Sequence, residues 1–382
     1  MKRIIYLLAA LGLFLFVQTA QADWLAAKRL TWSAGTSFNP AVAVDSSGNI
    51  YVAWQDTTPG NYEIFYKKST DGGATWTAAQ RLTVNSGMSL FVSVACEASS
   101  AVHLAWEDLT SGNSELFYMK STDGGATWTP EKRLTWNTGR STIPTLAVDS
   151  SGNPHLVWMD DTPGDYEIYY RKSTDKGNAW TPIQRLTWNT GESTGAALAV
   201  GSSGHLHLVW DDSTLDNYEI YYKRSTDGGA TWTASKRLTW NSGNSLKPVL
   251  AADSSGQLHV FWHDQTHGNE EIYYKKSTDG GATWTANKRL TWNSGNSSCP
   301  AVAVDSNGVH VVYHDWTPGN AEVYYRNSPD WGETWAPSQR LAFTAGTSAN
   351  AEIGTDPWGN LHVVWNDATP GNIEIYYKKY AK

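Results

Sequence analysis

The sequence predicts an all-β fold, a seven-bladed β-propeller with four antiparallel strands in each blade. An Arg-Leu-Thr tripeptide recurs every 52 residues, with a weaker copy at Arg340. Each copy contains short alternating strands between turn signals, which is typical of propeller blades. The chain also opens on a fourth strand and ends after a third, so that its two ends complete one blade. The tripeptides begin at Arg29, Arg81, Arg133, Arg185, Arg237 and Arg289.

Residues 39–84 illustrate the elements of one copy. Alternating apolar residues and β-branched or aromatic residues indicate the strands, and clusters of Gly, Pro, Asn, Asp and Ser indicate the turns. In order, we predict a first strand over 40–44, a Gly-containing turn over 45–49, a second strand over 50–55, a Pro-Gly loop over 56–61, a third strand over 63–68, a turn over 69–76 and a fourth strand carrying Arg81.

The two ends of the chain are predicted to pair with each other. The last copy stops after its third strand at 375–379, whereas residues 24–32 form a fourth strand without a preceding three. Pairing these segments closes the ring and removes the open sheet edges between the first and last blades. Residues 23–382 are therefore expected to form one propeller domain.

The first 22 residues have the pattern of a secretory signal peptide. Lys2 and Arg3 precede an apolar stretch over 4–17, and Ala20-Gln21-Ala22 suits cleavage. This stretch is too short for a comfortable membrane span. We expect an exported protein, secreted or periplasmic, that is a monomer and does not associate with membranes.

Charge and cysteine content exclude two further classes of protein, those that bind nucleic acid and those held together by repeated disulfides or metal sites. Without Lys2 and Arg3 the chain has 27 basic and 37 acidic side chains, which makes nucleic acid an unsuitable partner. Cys96 and Cys299 occupy positions where other copies carry unrelated residues. They are expected to be free, mostly buried thiols and not a repeated disulfide or metal framework.

The turn before the fourth strand follows the Asp-box pattern Ser-x-Asp-x-Gly-x-Thr-Trp. Its carboxylate and hydroxyl are expected to accept backbone N–H groups within the turn, while its Trp packs between sheets. The pattern resembles the repeats of sialidases and of their many non-enzymatic relatives. In that family the box lies on the edge of the disc away from the active site, so it implies architecture and not catalysis. The box aspartates are Asp71, Asp123, Asp175, Asp227, Asp279 and Asp330.

The resemblance also implies which residues sialidase chemistry would need. These are three arginines that clamp the substrate carboxylate, a Tyr and Glu acting as nucleophile, and an Asp as acid or base. Only Arg140 lies in a loop expected on the ligand-binding face, and the early Arg-Ile-Pro motif of the family is missing. The sequence therefore does not predict the arginine triad.

Two carboxylates recur in all seven copies, one of the Asp56 type at the end of the second strand and one of the Glu63 type at the start of the third. A single active site needs one acid–base pair, so sevenfold repetition favours a role in bracing the loop. The turn over 45–49 is acidic but lacks the spacing of a full calcium loop, and a plain hairpin turn is favoured. We expect no metal and no cofactor.

Tryptophan is abundant, with 21 residues. Those of the Trp54 and Trp76 types are predicted to pack between blades. Those of the Trp32 type, at the end of the fourth strand, suit either a lid over the core or an exposed platform for sugars. The lid is the favoured interpretation.

Variation among the copies concentrates at one rim of the propeller. Directly before the constant Asp the copies read Gln55, Glu107, Met159, Asp211, His263, His314 and Asn366. Asp211, His263, His314 and Trp316, from three consecutive blades, are the first choice for a ligand pocket. Glu107 and Arg140 are further candidates at this rim. Neutral drift among duplicated copies is the alternative, and a third metal ligand beside the two histidines is not evident.

These observations favour a non-catalytic recognition module that binds glycans or surface proteins at the variable rim. The main alternative is an exo-acting glycoside hydrolase with a non-standard site. There Glu107 or Asp211 would be the acid, assisted by Tyr166 or Tyr218. A structural or assembly factor that grips a protein partner is the third possibility.

Overall fold

The computed structural model describes residues 23–369 and 371–382. The expected signal peptide, residues 1–22, lies outside the described residues. Within them, 29 strands form seven antiparallel sheets, and the seven-bladed propeller with four-stranded blades is confirmed.

Each of the first six blades contains four strands that follow one another in the chain. Blade 1 contains β3 (Ser37–Val44), β4 (Ile50–Asp56), β5 (Glu63–Ser69) and β6 (Gln80–Arg81); blade 2 contains β7 (Ser89–Cys96), β8 (Val102–Asp108), β9 (Glu115–Ser121) and β10 (Lys132–Arg133); blade 3 contains β11 (Ser141–Val148), β12 (Pro154–Asp160), β13 (Glu167–Lys172) and β14 (Gln184–Arg185). Blade 4 contains β15 (Ser193–Val200), β16 (Leu206–Leu215), β17 (Asn217–Ser225) and β18 (Lys236–Arg237); blade 5 contains β19 (Ser245–Ala252), β20 (Leu258–Asp264), β21 (Glu271–Ser277) and β22 (Lys288–Arg289); blade 6 contains β23 (Ser297–Asp305), β24 (Gly308–Asp315), β25 (Glu322–Ser328) and β26 (Gln339–Arg340).

Blade 7 is assembled from both ends of the chain. Its strands are β27 (Ser348–Thr355), β28 (Leu361–Asp367) and β29 (Glu374–Ala381), completed by β1 (Asp23–Trp24) and β2 (Lys28–Arg29). The register places Asp23 opposite Ala381 and Arg29 opposite Tyr376. The predicted closure of the ring is therefore confirmed. Throughout the described residues, the structure contains no helix that is long and apolar enough to cross a bilayer.

The first strand of every blade lies innermost, because the first strands of neighbouring blades contact one another around the ring. Each first strand contains a β-bulge, in which two residues face one on the second strand. One bulge residue in each blade has a positive φ of 50–58°. These bulge residues are Asn39, Phe91, Ile143, Gly195, Lys247, Cys299 and Asn350. They place different side chains at equivalent points of the innermost strands.

The core lies between consecutive blades, as the sequence predicts for the second-strand and box tryptophans. Trp54 is buried and stacks on Phe65 of the neighbouring strand. Trp76 of the box meets Tyr377 of blade 7 edge to face, with ring centroids 5.0 Å apart. Since Trp24 makes the same kind of contact with Tyr325 of blade 6, the terminal strand supplies the seventh member of this set.

The Asp boxes are self-contained turns. Asp71 accepts the backbone N–H of Thr75 at 2.9 Å and its hydroxyl at 2.5 Å. These hydrogen bonds lower the pKa of Asp71 to about 2. Ser69 Oγ accepts the N–H of Gly73 at 2.8 Å, which completes the turn as expected.

A second repeated network lies beside the boxes and was not anticipated from the sequence. His155 Nδ1 lies 2.8 Å from the hydroxyl of Tyr170, and its Nε2 lies 3.4 Å from Asp149 of the adjacent hairpin turn. Six blades have a histidine at this position, and blade 1 has Tyr51 instead, which donates to Asp45 at 2.8 Å. The signal for this network is the 52-residue spacing of the His and Tyr positions.

The repeated Asp and Glu on either side of the loop between the second and third strands are structural, as predicted. Glu63 is buried and forms an ion pair of 2.8 Å with Arg81, the repeated arginine of the outer strand. Asp56 accepts hydrogen bonds from Ser37 Oγ at 2.6 Å and from the backbone N–H of Thr58 at 2.8 Å. Both carboxylates are therefore occupied within the blade.

The two cysteines are free, in agreement with the sequence analysis. Cys96 lies on β7 and Cys299 on β23, both half-buried. Burial raises the pKa of the Cys299 thiol, so the thiol stays protonated at neutral pH.

The lid interpretation of the Trp32 type is wrong. Trp32 is 69% exposed, and the equivalent residue in blade 4, Trp240, is 67% exposed. The core below is closed by the smaller residues Leu30 and Thr31, which are buried. Because these residues already fill the blade junction, the indole ring has no interior space to occupy.

Candidate functional site

The loops that follow the second and fourth strands share one face of the disc, here called the upper face. In blade 1 the backbone N–H of Thr57 donates to Thr36 O at 3.1 Å, which ties the two loops together. Gly35 lies so close to Thr57 and Thr58 that a Cβ atom would come within 2.4 Å of the backbone. The equivalent glycine in the other blades makes the same approach, so the architecture of the face is uniform and its side chains differ.

A polar cleft of about 340 Å³ opens on the upper face across blades 4, 5 and 6. Its wall is built mainly from side-chain amides, one carboxylate and glycine backbone. The residues that line the cleft are Ser242, Gly243, Asn244, Gln265, Gly268, Asn269, Glu270 and Asn296. We call it the mouth cleft.

The polar groups of the mouth cleft form a chain of hydrogen bonds. Asn244 Nδ2 donates to Gln265 Oε1 at 3.1 Å, and Gln265 Nε2 donates to Glu270 Oε1 at 3.3 Å. The backbone N–H of Glu270 donates to Asn296 Oδ1 at 3.2 Å. Amide and carboxylate groups in such a chain offer donors and acceptors at fixed positions to a ligand with several hydroxyl groups.

Trp316 lies next to this cleft. Its backbone N–H donates to Asn296 O at 3.0 Å, and its side chain is 45% exposed. The residue follows the constant Asp315, where the other blades carry smaller side chains. The structure thus places an exposed aromatic residue one backbone hydrogen bond from Asn296 of the amide-lined cleft.

His263 and His314 lie beneath the cleft. The Nε2 atom of His263 is 3.9 Å from Glu270 Oε1, and His314 Nε2 lies 3.0 Å from Ser298 Oγ. The Nδ1 atoms of both histidines are buried without a hydrogen-bond partner. Burial lowers the pKa of His263 and of His314 to about 4, so both rings are neutral at pH 7.

Asp211 belongs to the same sector but faces the protein. It is 2% exposed, accepts the backbone N–H of Lys247 at 2.9 Å and bonds to the hydroxyl of Thr194. Burial raises the pKa of Asp211 to about 6. Since Lys247 is the bulge residue of blade 5, the carboxylate fixes the bulge beside the cleft.

This contact explains part of the variation in residue type at the position before the constant Asp. In blade 1, Gln55 Oε1 accepts the N–H of Phe91, the bulge residue of blade 2, at 2.8 Å. In blade 3, the sulfur of Met159 accepts the N–H of Gly195 at 3.2 Å. Different side chains therefore perform the same task, which is to hold the bulge of the next blade.

Glu107 and Arg140 lie away from the mouth cleft, in the sector of blades 2 and 3. Glu107 is 6% exposed and hydrogen-bonded to Thr142 Oγ1. Arg140 is exposed on the upper face, and its backbone N–H donates to Asp161 Oδ1 at 2.5 Å. The structure does not bring these two residues together with Asp211, His263, His314 and Trp316.

One rim tyrosine is paired with a carboxylate. The hydroxyl of Tyr218 donates to Glu192 Oε2 at 2.6 Å, and burial together with this carboxylate raises the pKa of Tyr218 to about 12. Tyr166 is half-buried against the core that Met159 and Leu198 share. The partnership of Glu192 with Tyr218 follows only from the fold.

The bulge residues are a second feature that sequence reasoning missed. Ile143 has a φ of 50°, a conformation that is strained for a β-branched residue. Glu352, two residues after the bulge of blade 7, is exposed. The sequence contains one indication of the positive φ at this position, which is that blade 4 has a glycine there, Gly195.

Among the described residues, the arginines do not converge on one site. The seven outer-strand arginines pair with the buried glutamates of their own blades, as Arg237 does with Glu219 at 2.7 Å. Arg171 and Arg326 donate to main-chain oxygens of the preceding blade, and Arg224 does so to Gly280 of the next. Of the arginines that the structure describes, only Arg140 is exposed on the upper face, so these residues form no cluster of three arginines there.

The repeats, the Asp boxes and the ring of blades define a sialidase-like β-propeller. A family model described as a BNR repeat-like domain matches residues 142–346, more than half of the chain, and the chain belongs to this family. A curated sialidase from Bacteroides fragilis is 23% identical over an alignment of 276 residues, which covers 60% of this chain and 49% of the sialidase. The chain thus spans about half the length of this curated relative.

Solved structures share the fold. A protein of unknown function from Dyadobacter fermentans superposes with a TM-score of 0.57 at 16% identity, covering 92% of this chain and 98% of that one. An α-L-arabinanase from Penicillium chrysogenum gives a TM-score of 0.54 at 14% identity, covering 93% and 98%. A leech intramolecular trans-sialidase gives 0.51 at 13% identity, covering 90% and 68%. At such identities the likeness concerns the fold alone.

Proposed function

We propose that this protein is an exported, non-catalytic recognition propeller that binds a glycan in the mouth cleft of blades 4–6. The cleft offers the two components of a sugar site. Asn244, Gln265, Glu270 and Asn296 present hydrogen-bonding groups in fixed positions, and the neighbouring Trp316 supplies an exposed aromatic side chain. The relationship to sialidases supports a glycan over other ligands of similar polarity.

The arrangement of the arginines carries the non-catalytic part of the proposal. A sialidase-type mechanism requires cations that clamp the substrate carboxylate, and binding energy would have to come from them. The arginines of this chain that are described by the structure are occupied in blade contacts, apart from Arg140. A ligand in the mouth cleft would meet amides and one carboxylate, which suits a neutral sugar.

Glycan binding is tested with a glycan array followed by calorimetric titration. We expect one site in the cleft, with binding reduced at least tenfold by Asn244→Ala and by Trp316→Ala. Trp358→Ala is the matched control, because Trp358 is 62% exposed but lies on a hairpin turn of the opposite face. Unchanged binding in both cleft variants would contradict the assignment.

A glycoside hydrolase is the second candidate, favoured by one specific observation. Tyr218 and Glu192 form a hydrogen-bonded pair, and Asp211 of the same blade has a pKa raised to about 6. Tyrosine–glutamate pairs and carboxyl groups with raised pKa values are suited to glycosidic chemistry. Turnover of fluorogenic sialosides or aryl glycosides that is lost in Glu192→Gln, Tyr218→Phe and Asp211→Asn would establish it and overturn the non-catalytic assignment.

A further inference from the structure

The most exposed aromatic side chains form a repeated set at the blade junctions, outside the mouth cleft. Each follows the fourth, outermost strand of a blade and precedes the loop to the next blade. Five are tryptophans that are 64–69% exposed, and the two remaining copies have Phe343 at 73% and Val84 at 74%. The five tryptophans are Trp32, Trp136, Trp188, Trp240 and Trp292. We call them the outer tryptophans.

Cations hold each outer tryptophan in place. The guanidinium of Arg237 lies 5.6 Å from the centre of the Trp240 ring, and the ammonium of Lys275, from the next blade, lies 5.8 Å from it. Both cations already have partners, because Arg237 pairs with Glu219 and Lys275 donates to Leu238 O. Trp240 is 67% exposed, which is too much for a ring covered on both faces. The two cations therefore hold the indole ring in place while one of its faces stays open to solvent.

The copies show that the aromatic residue and the following cation form one unit. The position of Lys275 is occupied by Lys or Arg in six blades and by Met119 in blade 2. The junction that faces Met119 is the one with Val84 in place of an aromatic residue. The only copy without the ring is therefore also the only copy without the cation.

The surroundings of the rings identify the chemistry of the ligand. The outer tryptophans are separated by polar Asn-Ser-Gly or Asn-Thr-Gly loops in four of the five copies, so they do not form the continuous apolar patch that a protein partner would need. Their cations are internally paired and the chain is acidic overall, which disfavours anionic ligands and anionic membranes. Exposed hydroxyl residues such as Thr138 and Thr190 lie two positions after the ring in four of the five copies.

We propose that each outer tryptophan is a separate stacking site for a neutral pyranose, so that the disc binds one repeating polysaccharide at several points. The C–H groups on one face of a pyranose pack against the negative face of an indole ring, and the nearby hydroxyl residue bonds to the sugar hydroxyls. Holding the ring in one orientation lowers the entropy cost of binding. Single sites are weak, and several sites on one polymer strengthen binding by avidity. Four of the five sites share no residue with the mouth cleft, and the site of Trp240 meets it at Ser242.

The first experiment counts sites by calorimetric titration and tryptophan fluorescence with cellohexaose, chitohexaose and mannohexaose. We expect at least one of these neutral hexasaccharides to bind at five equivalent weak sites in the Trp316→Ala background, which removes the proposed cleft site. Trp240→Ala should lower the number to four, and Trp240→Tyr should restore five. Because the Trp316→Ala background removes only the cleft, failure of the cleft assignment and failure of the outer sites give different results.

The second experiment adds a site. The double variant Val84→Trp/Met119→Lys rebuilds the missing unit and should raise the number of sites from five to six. Trp358→Ala, on the opposite face, should leave five. The triple variant Trp32→Ala/Trp136→Ala/Trp240→Ala should weaken binding to the corresponding polysaccharide at least tenfold.

Three outcomes would overturn the assignment. The first is that none of the three hexasaccharides binds to the wild-type chain at millimolar concentration. The second is that Trp240→Ala lowers the melting temperature while the number of sites stays the same, which would make the rings covers for the blade junctions. The third is that the tryptophan variants lose binding to phosphatidylcholine–phosphatidylglycerol vesicles and not to sugars.

Discussion

At the scale of single residues, glycines of the Asp boxes permit the contact between neighbouring blades. Gly229 has a φ of 88°, and a Cβ atom on it would lie 2.0 Å from the hydroxyl of Tyr170 in the preceding blade. Gly268 has a similar φ of 94° in an upper loop, but nothing lies within 4 Å of its Cβ position. Both positions have a backbone conformation that is unfavourable for any residue except glycine. They differ in the space available to a Cβ atom.

We expect Gly229→Ala to lower the free energy of unfolding by about 3 kcal/mol, the sum of an unfavourable φ and a steric clash in a packed junction. Gly268→Ala should cost only about 1 kcal/mol, because it adds strain without a clash. Urea denaturation of both variants measures the difference. Equal losses would show that the close approach of Tyr170 contributes nothing.

Single residues also mark the limit of sequence reasoning at the candidate site. Trp316 was predicted to belong to a ligand pocket, and the structure places it beside Asn296 of the mouth cleft. The position of Asp211 was predicted as a rim residue, but its carboxylate binds the bulge backbone of Lys247. The bulge itself is set by inter-blade geometry, which a single strand pattern does not encode.

At the scale of the strand, one ion pair closes the outer end of each blade. Glu219 at the start of β17 is buried, whereas its partner Arg237 on β18 has a side chain that is 21% exposed. The backbone N–H of Asn241 also donates to Glu219 Oε1 at 2.8 Å, and Thr239 Oγ1 accepts the N–H of Ile220 at 2.8 Å. The carboxylate therefore joins the third strand, the fourth strand and the next loop.

Arg237→Met keeps an unbranched side chain below Trp240 but leaves the Glu219 carboxylate buried without its cation. We expect a loss of about 2–3 kcal/mol in the free energy of unfolding. This loss is smaller than that for a fully buried, unpaired carboxylate, because the space left by the partly exposed arginine is open to water. Calorimetry measures this loss. The double variant Arg237→Met/Glu219→Gln should recover part of it, since the uncompensated charge is gone. No recovery would assign the loss to packing alone.

The strand pattern was the part of the molecule most accessible from sequence. Alternation and turn residues located three strands of each blade, because these strands are long and have one clear periodicity. The fourth strand is only two residues in the structure, such as Lys236–Arg237, although the Arg-Leu-Thr repeat had suggested a longer one. The exposure of Trp240 could not be read from the repeat, because an apolar residue beside a strand is compatible with either a buried or a free position.

At the scale of the whole molecule, buried histidines couple stability to pH. Burial lowers the pKa of His207 and of His259 to about 4, below the value near 6.5 of an unfolded chain. Between these values the unfolded state binds more protons than the folded state. The stability that neutral histidines allow is therefore complete above pH 6.5 and is lost as the pH falls towards 4.

We expect the melting temperature to fall steadily between pH 6.5 and pH 4, with each of these histidines contributing about 1–3 kcal/mol. Scanning calorimetry at half-unit intervals measures the slope. His259→Tyr is the matched variant, because blade 1 already places Tyr51 against Asp45 at the equivalent position. This variant should reduce the fall of the melting temperature between pH 6.5 and pH 4. An unchanged fall would mean that other groups cause the loss of stability in acid.

Ring closure also belongs to this scale. Deleting residues 23–31 removes β1, β2 and the ion pair between Arg29 and Glu374, and exposes the edge of β29. We expect a lower melting temperature and oligomers formed by edge pairing. Light scattering after size exclusion and calorimetry measure both. Deleting only Asp23 and Trp24 is the milder control, and an unchanged melting temperature after the longer deletion would contradict the role of closure.

The strand borrowed from the start of the chain also bears on how such a molecule grows. The chain as a whole is out of phase with the blades, since it supplies the outer strand of blade 7 first and the three inner strands of that blade last. Inserting or removing a whole copy leaves the two termini still complementary. Gene duplication can therefore change the diameter of the disc without redesigning its ends, and every added copy brings another outer tryptophan to the circumference.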